Sequence, residues 1–200
     1  MPDRTDKDFI SEEDVRNVPV GGTLRIAERA LITPLAADVA RERQIHFERE
    51  AAKAPARKIA LGADHGGFEM KEALKGVLTE LGFEYVDLGT DSTEAVDYPD
   101  FSEAVALAVS RRKCEFGIMI DGAGIGSCMV ANKVPGIRAA MCYDEASARN
   151  SREHNGANVL TLGGKVLSNE QMRNIVRVWL STNLTEERHR RRVAKIDALL

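Results

Sequence analysis

The chain has 200 residues, of which 44% are hydrophobic and 30% are charged, a balance typical of a globular protein with a buried core. Its net charge of −3 provides no basic field, so neither nucleic acid nor an anionic membrane surface is expected as a partner. The three cysteines form no Cys-x-x-Cys spacing, and no apolar run reaches the roughly 18 residues of a membrane span. These features favour reduced thiols and a cytoplasmic location.

The first 49 residues are predicted to form an N-terminal extension. Ser11, followed by acidic residues, indicates the start of a helix; residues 23–26 are predicted to form a short strand; and Thr33-Pro34 opens a second helix. Since the segment contains little apolar material, it would be marginal as an independent fold, and we expect it to dock on another surface. Residues 50–57 are small and charged, which predicts a linker.

From residue 58 onwards, short apolar runs alternate with segments of helical spacing. The apolar runs lack apolar–polar alternation, which predicts a parallel sheet covered on both faces. The expected fold of residues 58–200 is therefore α/β: a three-layer α/β/α, doubly wound, Rossmann-like domain with a five-stranded parallel sheet. The predicted strands are residues 58–63, 83–88, 116–120, 137–142 and 159–162, and predicted helices include residues 68–81, 99–109, 169–180 and 186–199.

Two loops follow the first and third predicted strands of this domain. They are Asp64-His65-Gly66-Gly67 and Asp121-Gly122-Ala123-Gly124-Ile125-Gly126. Ligands of doubly wound sheets bind beyond the carboxyl ends of the strands, where the strand order reverses, so the loops face one crevice if these strands are neighbours. Alternate glycines let backbone N–H groups approach an oxyanion. The spacing is neither a dinucleotide fingerprint nor a P-loop, and a glycine-rich turn without a ligand is the alternative.

Further candidates lie at the ends of predicted elements. Asp64-His65 ends a strand and His154-Asn155 ends a helix, and each pair could bind a ligand or transfer a proton. The alternative for each histidine is a structural role, such as a cap at the end of a helix. Tyr98, which precedes Pro99, either lines a site or packs against the helix that it begins.

A basic run covers residues 188–192 near the end of the chain. Arg188 and Arg192 lie four residues apart on a predicted helix and would project together, a spacing suited to one phosphate group. The alternative is a solvated helix face, of which His189 would be part.

A series of short motifs follows a fixed order along residues 58–198. The series is Asp64-His65-Gly66-Gly67, Asp97-Tyr98-Pro99, Gly122-x-Gly124-x-Gly126 leading to Ala131-Asn132-Lys133, Gly136-Ile137-Arg138-Ala139, Ser151-Arg152-Glu153-His154-Asn155, Asn158-Val159-Leu160 and Arg188-His189-x-x-Arg192. It closely resembles the type B ribose-5-phosphate isomerase family, which also contains the galactose-6-phosphate isomerase subunits.

The resemblance implies an aldose–ketose isomerase of a sugar phosphate, with ribose 5-phosphate as the favoured substrate. The reaction would proceed through ring opening and an enediolate, without a metal or cofactor. Sites in this family are assembled at a subunit interface, which implies a homodimer or tetramer. By matched position, His154 would open the sugar ring with help from Asp64. The phosphate would be held by His65, Arg188, Arg192 and Lys165. The sugar oxygens would be bound by Asn155, and the enediolate would be bound by the amides of Gly122, Ala123, Gly124 and Gly126.

The catalytic base is the point at which this sequence departs from the family. Many members have cysteine at the position of Asp121 and threonine or serine at the position of Ala123, and another branch has glutamate at the position of Ser127. Asp121 is expected to serve as the base, because a positioned carboxylate can move a proton between adjacent sugar carbons. The alternative is a catalytically silent sugar-phosphate binder or scaffold. A dinucleotide oxidoreductase is disfavoured by the glycine spacing.

The N-terminal extension carries a second, shorter resemblance. Its motifs are Ser11-Glu12-Glu13-Asp14-Val15-Arg16, Ile32-Thr33-Pro34-Leu35-Ala36 and Ala40-Arg41-Glu42-Arg43. They look like a module found on enzymes of bacterial microcompartments, which implies shell or cargo proteins as partners and a location inside such a compartment. An arm that packs against a neighbouring subunit is the alternative.

Overall fold

The computed structural model describes residues 2–4, 7, 9–28, 30–50 and 57–199. The chain divides into two compact units, Met1–Pro55 and Ala56–Leu200. Most of the predicted linker, residues 51–56, lies outside the described residues. Its first residue, Glu50, instead ends a strand that the sequence analysis did not predict.

The N-terminal unit contains two small parallel sheets and two helices. Thr33 caps the second helix through its hydroxyl and Pro34 occupies the first turn, as predicted, while Ser11 forms a capping box with Asp14 at the first helix. The three-stranded sheet has the order β1-β3-β5 and the other sheet pairs β2 with β4. The elements are β1 (Asp3–Arg4), β2 (Phe9–Ile10), α1 (Glu12–Arg16), β3 (Thr23–Ala27), β4 (Leu31–Ile32), α2 (Pro34–Glu42) and β5 (His46–Glu50).

This unit has a hydrophobic core of its own. Val15 of α1, Leu24 and Ile26 of β3 and Val39 of α2 are buried in one cluster, together with several alanines. The buried cluster includes three valines and four alanines besides its larger apolar residues, so small side chains supply much of this core. Strand β5 was missed because Phe47 is the only apolar side chain in its sequence, and that side chain packs against the core from the edge of the sheet.

The C-terminal unit is a doubly wound α/β domain, as predicted. Its sheet is wholly parallel and has the order β7-β6-β8-β10-β9. Strand β9 is shorter than predicted, because the amide of Ile137 donates to Val134 in the preceding turn. The elements are β6 (Lys58–Ala63), α3 (Phe68–Glu80), β7 (Glu84–Asp87), α4 (Tyr98–Ser110), β8 (Phe116–Asp121), α5 (Ile125–Ala131), β9 (Ala139–Met141), α6 (Glu145–Glu153), β10 (Val159–Gly163), α7 (Asn169–Ser181) and α8 (Glu187–Asp197).

The central strands are buried on both faces, which explains their lack of alternation. Ile118 and Ile120 of β8 pack into one hydrophobic cluster with α3 and α7, and Met119 between them packs into the other cluster with α4. The strand order reverses between β6 and β8, which are neighbours, so the loops after these two strands meet at one edge of the sheet. None of the helices in the described ranges is long and apolar enough to cross a membrane.

Candidate active site

The loop after β6 is shaped by the carboxylate of Asp64. Oδ1 accepts hydrogen bonds from the amides of Gly66 at 2.8 Å and Gly67 at 3.0 Å, and the side chain is 5% exposed. A Cβ at Gly67 would overlap the carbonyl of Ile120, so glycine allows the loop to close on β8. Within the described residues Oδ2 has no recorded partner, so it is the oxygen that can accept a bond from a ligand hydroxyl.

His65 is fixed through one ring nitrogen. Its Nδ1 lies 3.2 Å from the carbonyl oxygen and 3.3 Å from the amide nitrogen of Val96, in the segment before α4. The half-buried ring is therefore oriented by the backbone, which leaves Nε2 for a ligand.

Asp121 ends β8 and is 4% exposed. Its Oδ1 accepts hydrogen bonds from the amides of Ala123 and Gly124, and its Oδ2 accepts bonds from the amide of Ser127 at 2.9 Å and from the Ser127 hydroxyl. The four donors match the four lone-pair positions of a carboxylate. In this structure the side chain of Asp121 folds back and accepts from the amides of Ala123 and Gly124, the two amides that were predicted to bind an enediolate oxygen.

The remaining glycines of this loop bring other elements close. Gly124 has φ +80° and packs against β10, and Gly126 lies under Tyr98, whose Cζ would be 2.6 Å from an added Cβ. Gly122 faces Lys165, since an added Cβ would be 3.8 Å from Cδ of that lysine. The Lys165 amide also donates to the Gly122 carbonyl at 3.1 Å.

These contacts bring most of the predicted site residues together. An added Cβ on Gly66 would be 3.2 Å from the Gly122 backbone, and the Gly164 amide donates to the Asp121 carbonyl at 2.7 Å. The loops after β6, β8 and β10 thus form one cluster, which we call the carboxylate half-site. Its predicted members are Asp64, His65, Tyr98, Asp121, Gly122, Ala123, Gly124, Gly126 and Lys165.

A second cluster, which we call the histidine half-site, surrounds His154, the C-cap of α6. The His154 ring stacks on His189 of α8 with centroids 4.3 Å apart and an interplanar angle of 21°. Asn150 Nδ2 lies 3.0 Å from Nδ1 of His154, and because the amide nitrogen is a donor, Nδ1 accepts and Nε2 carries the ring proton. Exposed Asn155 donates to Asn150 Oδ1 at 3.3 Å.

His189 is not part of a solvated helix face, which was the alternative for the basic run. It is 4% exposed, and neither ring nitrogen has a hydrogen-bond partner among the described residues. Burial lowers its pKa from the usual 6.5, and the neighbouring His154 and Arg188 lower it further. Arg188 and Arg192 are exposed one helical turn apart, and Arg188 Nε pairs with Glu186 Oε2 at 2.5 Å.

The two half-sites lie at opposite edges of the sheet in one chain. Helix α6 begins beyond the carboxyl ends of the strands and runs back to their amino ends, so His154 lies just before Val159, the first residue of β10. The Asp121 loop, in contrast, lies beyond the carboxyl ends of the strands. Five residues of β10 separate the two edges by roughly 13 Å. The predicted site residues therefore form two clusters rather than one, because a helix that connects parallel strands runs back to their amino ends.

The sequence analysis named Ser127 only as a position at which the chain departs from the family. The structure places its side chain, 0% exposed, against Asp121. A serine in the first turn after a glycine-rich loop is a common helix residue, so the sequence contained no clear signal for this contact. Within the described residues no group of three or more His, Cys, Asp or Glu side chains could hold a metal ion.

The fold and the strand-end loops define a parallel α/β domain with a ligand crevice at the point where the strand order reverses. Residues 59–196 match the family described as Ribose/Galactose Isomerase. The chain belongs to this family of sugar-phosphate isomerases.

Individual relatives cover the same region. Ribose-5-phosphate isomerase B of Escherichia coli is 43% identical over 143 residues, which are 72% of this chain and 96% of that protein. D-erythrulose-4-phosphate isomerase of Pectobacterium atrosepticum is 41% identical over 123 residues, which are 61% of this chain and 81% of that protein. The solved type B ribose 5-phosphate isomerase of Trypanosoma brucei has a TM-score of 0.71 at 43% identity and covers 72% of this chain and 99% of its own.

Proposed function

We propose that this protein interconverts ribose 5-phosphate and ribulose 5-phosphate at a site built from two copies of the chain. The observation that carries the proposal is the buried carboxylate of Asp121, in a loop whose backbone contacts the Asp64 loop and Lys165 at the reversal of strand order. The carboxylate half-site of one copy would face the histidine half-site of its partner, since one chain keeps the two apart.

The chemistry assigns a role to each half-site. His154 Nε2–H would donate a proton to the ring oxygen while Asp64 accepts the proton of the anomeric hydroxyl, which opens the sugar ring. Asp121 would then take the proton from C2 of the aldose to give an enediolate. The hydroxyl proton of O2 would pass to O1, and Asp121 would return its proton to C1, which yields the ketose. Asn155 of the second copy would orient the sugar hydroxyls, and the steps need neither a metal nor a cofactor.

The phosphate would be held by cations from both copies. His65 and Lys165 lie in the carboxylate half-site, and Arg188 and Arg192 are exposed in the histidine half-site. Arginine binds phosphate through a planar fork of donors, whereas Lys165 supplies a point charge. Clamping the phosphate from two sides would hold C1 and C2 of the sugar against Asp121.

The substrate is proposed as ribose 5-phosphate because the relatives that are named for a substrate include ribose-5-phosphate isomerases at 43–46% identity. The relative named for D-erythrulose 4-phosphate is nearly as similar, at 41%. Initial rates with ribose 5-phosphate, galactose 6-phosphate and D-erythrulose 4-phosphate measure the preference. The highest kcat/KM is expected for ribose 5-phosphate, and a tenfold preference for either other substrate would contradict the assignment.

A second candidate is a sugar-phosphate binder without turnover. It is favoured by one observation: the carboxylate of Asp121 already accepts four hydrogen bonds, so no lone pair faces a ligand. Thermal-shift binding of ribose 5-phosphate, paired with a turnover assay, separates the candidates, because a binder would be stabilised by the sugar phosphate without converting it.

Two substitutions of Asp121 test its role as the base. Asp121→Asn removes the proton acceptor and is expected to lower kcat by at least about 100-fold, the usual contribution of a general base. Asp121→Cys supplies a thiolate instead and should retain turnover, with the acid limb of its pH profile moved towards the ordinary thiol pKa of about 8.5. The base assignment would be wrong if Asp121→Asn kept most of the wild-type rate.

We also propose that the N-terminal unit is a docking module for shell or cargo proteins of a microcompartment. Support comes from its own buried core and from Phe9 and Leu31, which pair across β2 and β4 and are 63% and 62% exposed. The Escherichia coli relative is matched over 96% of its length without this region, so removing residues 1–56 is expected to preserve turnover. Fluorescence co-localisation with a shell should then be lost, and retained recruitment would contradict the proposal.

A further inference from the structure

The hydrogen bonds of Asp121 place a limit on the proposed reaction. A carboxylate can take a proton only through a free lone pair, and the four donors around Asp121 leave none. At least one donor must therefore leave the carboxylate during turnover if Asp121 is the base.

Three of the four donors are backbone amides that are held in place. The amides of Ala123 and Gly124 belong to a turn in which Gly124 has φ +80° and its carbonyl accepts a 2.8 Å hydrogen bond from Thr161. The third amide belongs to Ser127, in the first turn of α5. None of these N–H groups can turn away from the carboxylate without moving the backbone.

The fourth donor is the hydroxyl of Ser127, whose Oγ moves away from the carboxylate when the side chain rotates about its Cα–Cβ bond. Rotation frees one lone pair of Asp121 Oδ2 and leaves the loop unchanged. A hydroxyl can also accept a hydrogen bond, which an amide N–H cannot. Once Asp121 holds the substrate proton, its new O–H needs an acceptor, because an unpaired buried polar group is costly. Ser127 Oγ is the only hydroxyl bonded to Asp121 in the described structure, since residue 123 is alanine.

We propose that Ser127 is the positioning residue of Asp121: its hydroxyl donates to the carboxylate before proton transfer and accepts from the carboxylic acid afterwards. The protons balance: one leaves C2, resides on Asp121 while bonded to Ser127 Oγ, and is returned to C1, while the hydroxyl proton of O2 passes to O1 in the enediolate. The inference rests on the proposed function, in which Asp121 is the base. The titratable side chains of the loops packed against the Asp121 loop are Asp64 and Lys165, and neither makes a hydrogen bond to Ser127 in the described structure.

Ser127→Ala removes the reversible partner and keeps the helix. Its kcat is expected to fall on the order of tenfold while KM stays within about twofold, because the lost bond is made to the base and not to the substrate. The acid limb of the kcat/KM pH profile should move to higher pH, since the charged carboxylate loses a donor. Ser127→Cys keeps a weak donor of similar size and should lie between the alanine variant and the wild type.

Ser102→Ala is the matched control. Ser102 is also 0% exposed, and its hydroxyl donates to the Ser127 carbonyl at 2.7 Å without touching the carboxylate. It should reproduce any packing loss of Ser127→Ala with the wild-type pH profile. The inference is overturned if both alanine variants show the wild-type profile, or if Ser102→Ala shifts the acid limb as far as Ser127→Ala. Retained turnover in Asp121→Asn would instead overturn the base assignment itself, which keeps the two failures distinct.

Discussion

The separation of the half-sites predicts that two inactive chains can form an active dimer. One chain carries Asp121→Asn and a wild-type histidine half-site, and the other carries His154→Ala and a wild-type carboxylate half-site. In a heterodimer, the intact Asp121 of the second chain faces the intact His154 of the first. One of the two sites is then complete, and the other carries both substitutions.

The magnitude follows from counting sites. Heterodimers isolated with two different affinity tags should show about half the wild-type kcat per dimer, and an unpurified one-to-one mixture about a quarter. Initial rates with ribose 5-phosphate measure both values, and each homodimer, assayed alone, sets the baseline.

The control combines Asp121→Asn with Asp64→Asn, two changes within the carboxylate half-site. No site in that heterodimer is intact, because both residues of any one site come from the same chain. It should stay at the baseline. The two-copy site would be refuted by a baseline rate in the Asp121–His154 heterodimer or by recovery in the Asp121–Asp64 control.

Three further predictions concern single positions. Gly126→Ala places a methyl group 2.6 Å from Tyr98 Cζ and should lower the free energy of unfolding in urea by about 1–2 kcal/mol. Adding Tyr98→Ala should restore most of this loss, and an unchanged loss in the double variant would show that Tyr98 does not cause it. Burial raises the pKa of Asp14, but hydrogen bonds from Lys7, Ser11 and Arg4 outweigh this effect and hold the pKa below 3.8. Asp14→Asn should therefore destabilise the N-terminal unit by about 2 kcal/mol, which would be measured as faster hydrogen exchange in that unit, while turnover stays unchanged. Because the pKa of His189 in the folded protein lies below 6.5, the unfolded chain binds the proton more readily, and stability should fall as the pH drops below 6.5. Between pH 7 and pH 5 the thermal midpoint of His189→Phe should therefore fall less than that of the wild type, and an equal fall would contradict the lowered pKa.

The sheet could be predicted because its signals are local. The apolar runs of β6, β8 and β10 and caps such as Asp144 fix these elements within their own segments. Strand β5 could not be predicted in this way, since its stability depends on pairing with β3, whose partner residues lie 23 positions earlier, and not on its charged sequence.

The candidate residues of the site could be named from the sequence, but their full arrangement could not. Asp64 and Asp121 follow from the rule that ligands bind at strand ends. The distance between His154 and Asp121 depends on the direction of α6, and the contact between Asp121 and Ser127 depends on the backbone of Gly124, which turns the loop back on its own carboxylate. The direction of α6 follows from the parallel sheet, whereas the contact of Ser127 is a consequence of the folded backbone that residue types and spacing do not determine.

The central claim, that this chain isomerises a sugar phosphate by proton transfer, is tested most directly in D2O. The full-length protein is incubated with ribose 5-phosphate, and the product is followed by proton NMR. Because the buried Asp121 returns to C1 the proton that it took from C2, the proposed mechanism predicts ribulose 5-phosphate that keeps this protium at C1, and a rate lowered by at least about 100-fold in Asp121→Asn. Unchanged ribose 5-phosphate in a protein that the same sugar phosphate stabilises against heat would contradict the claim and identify a binder.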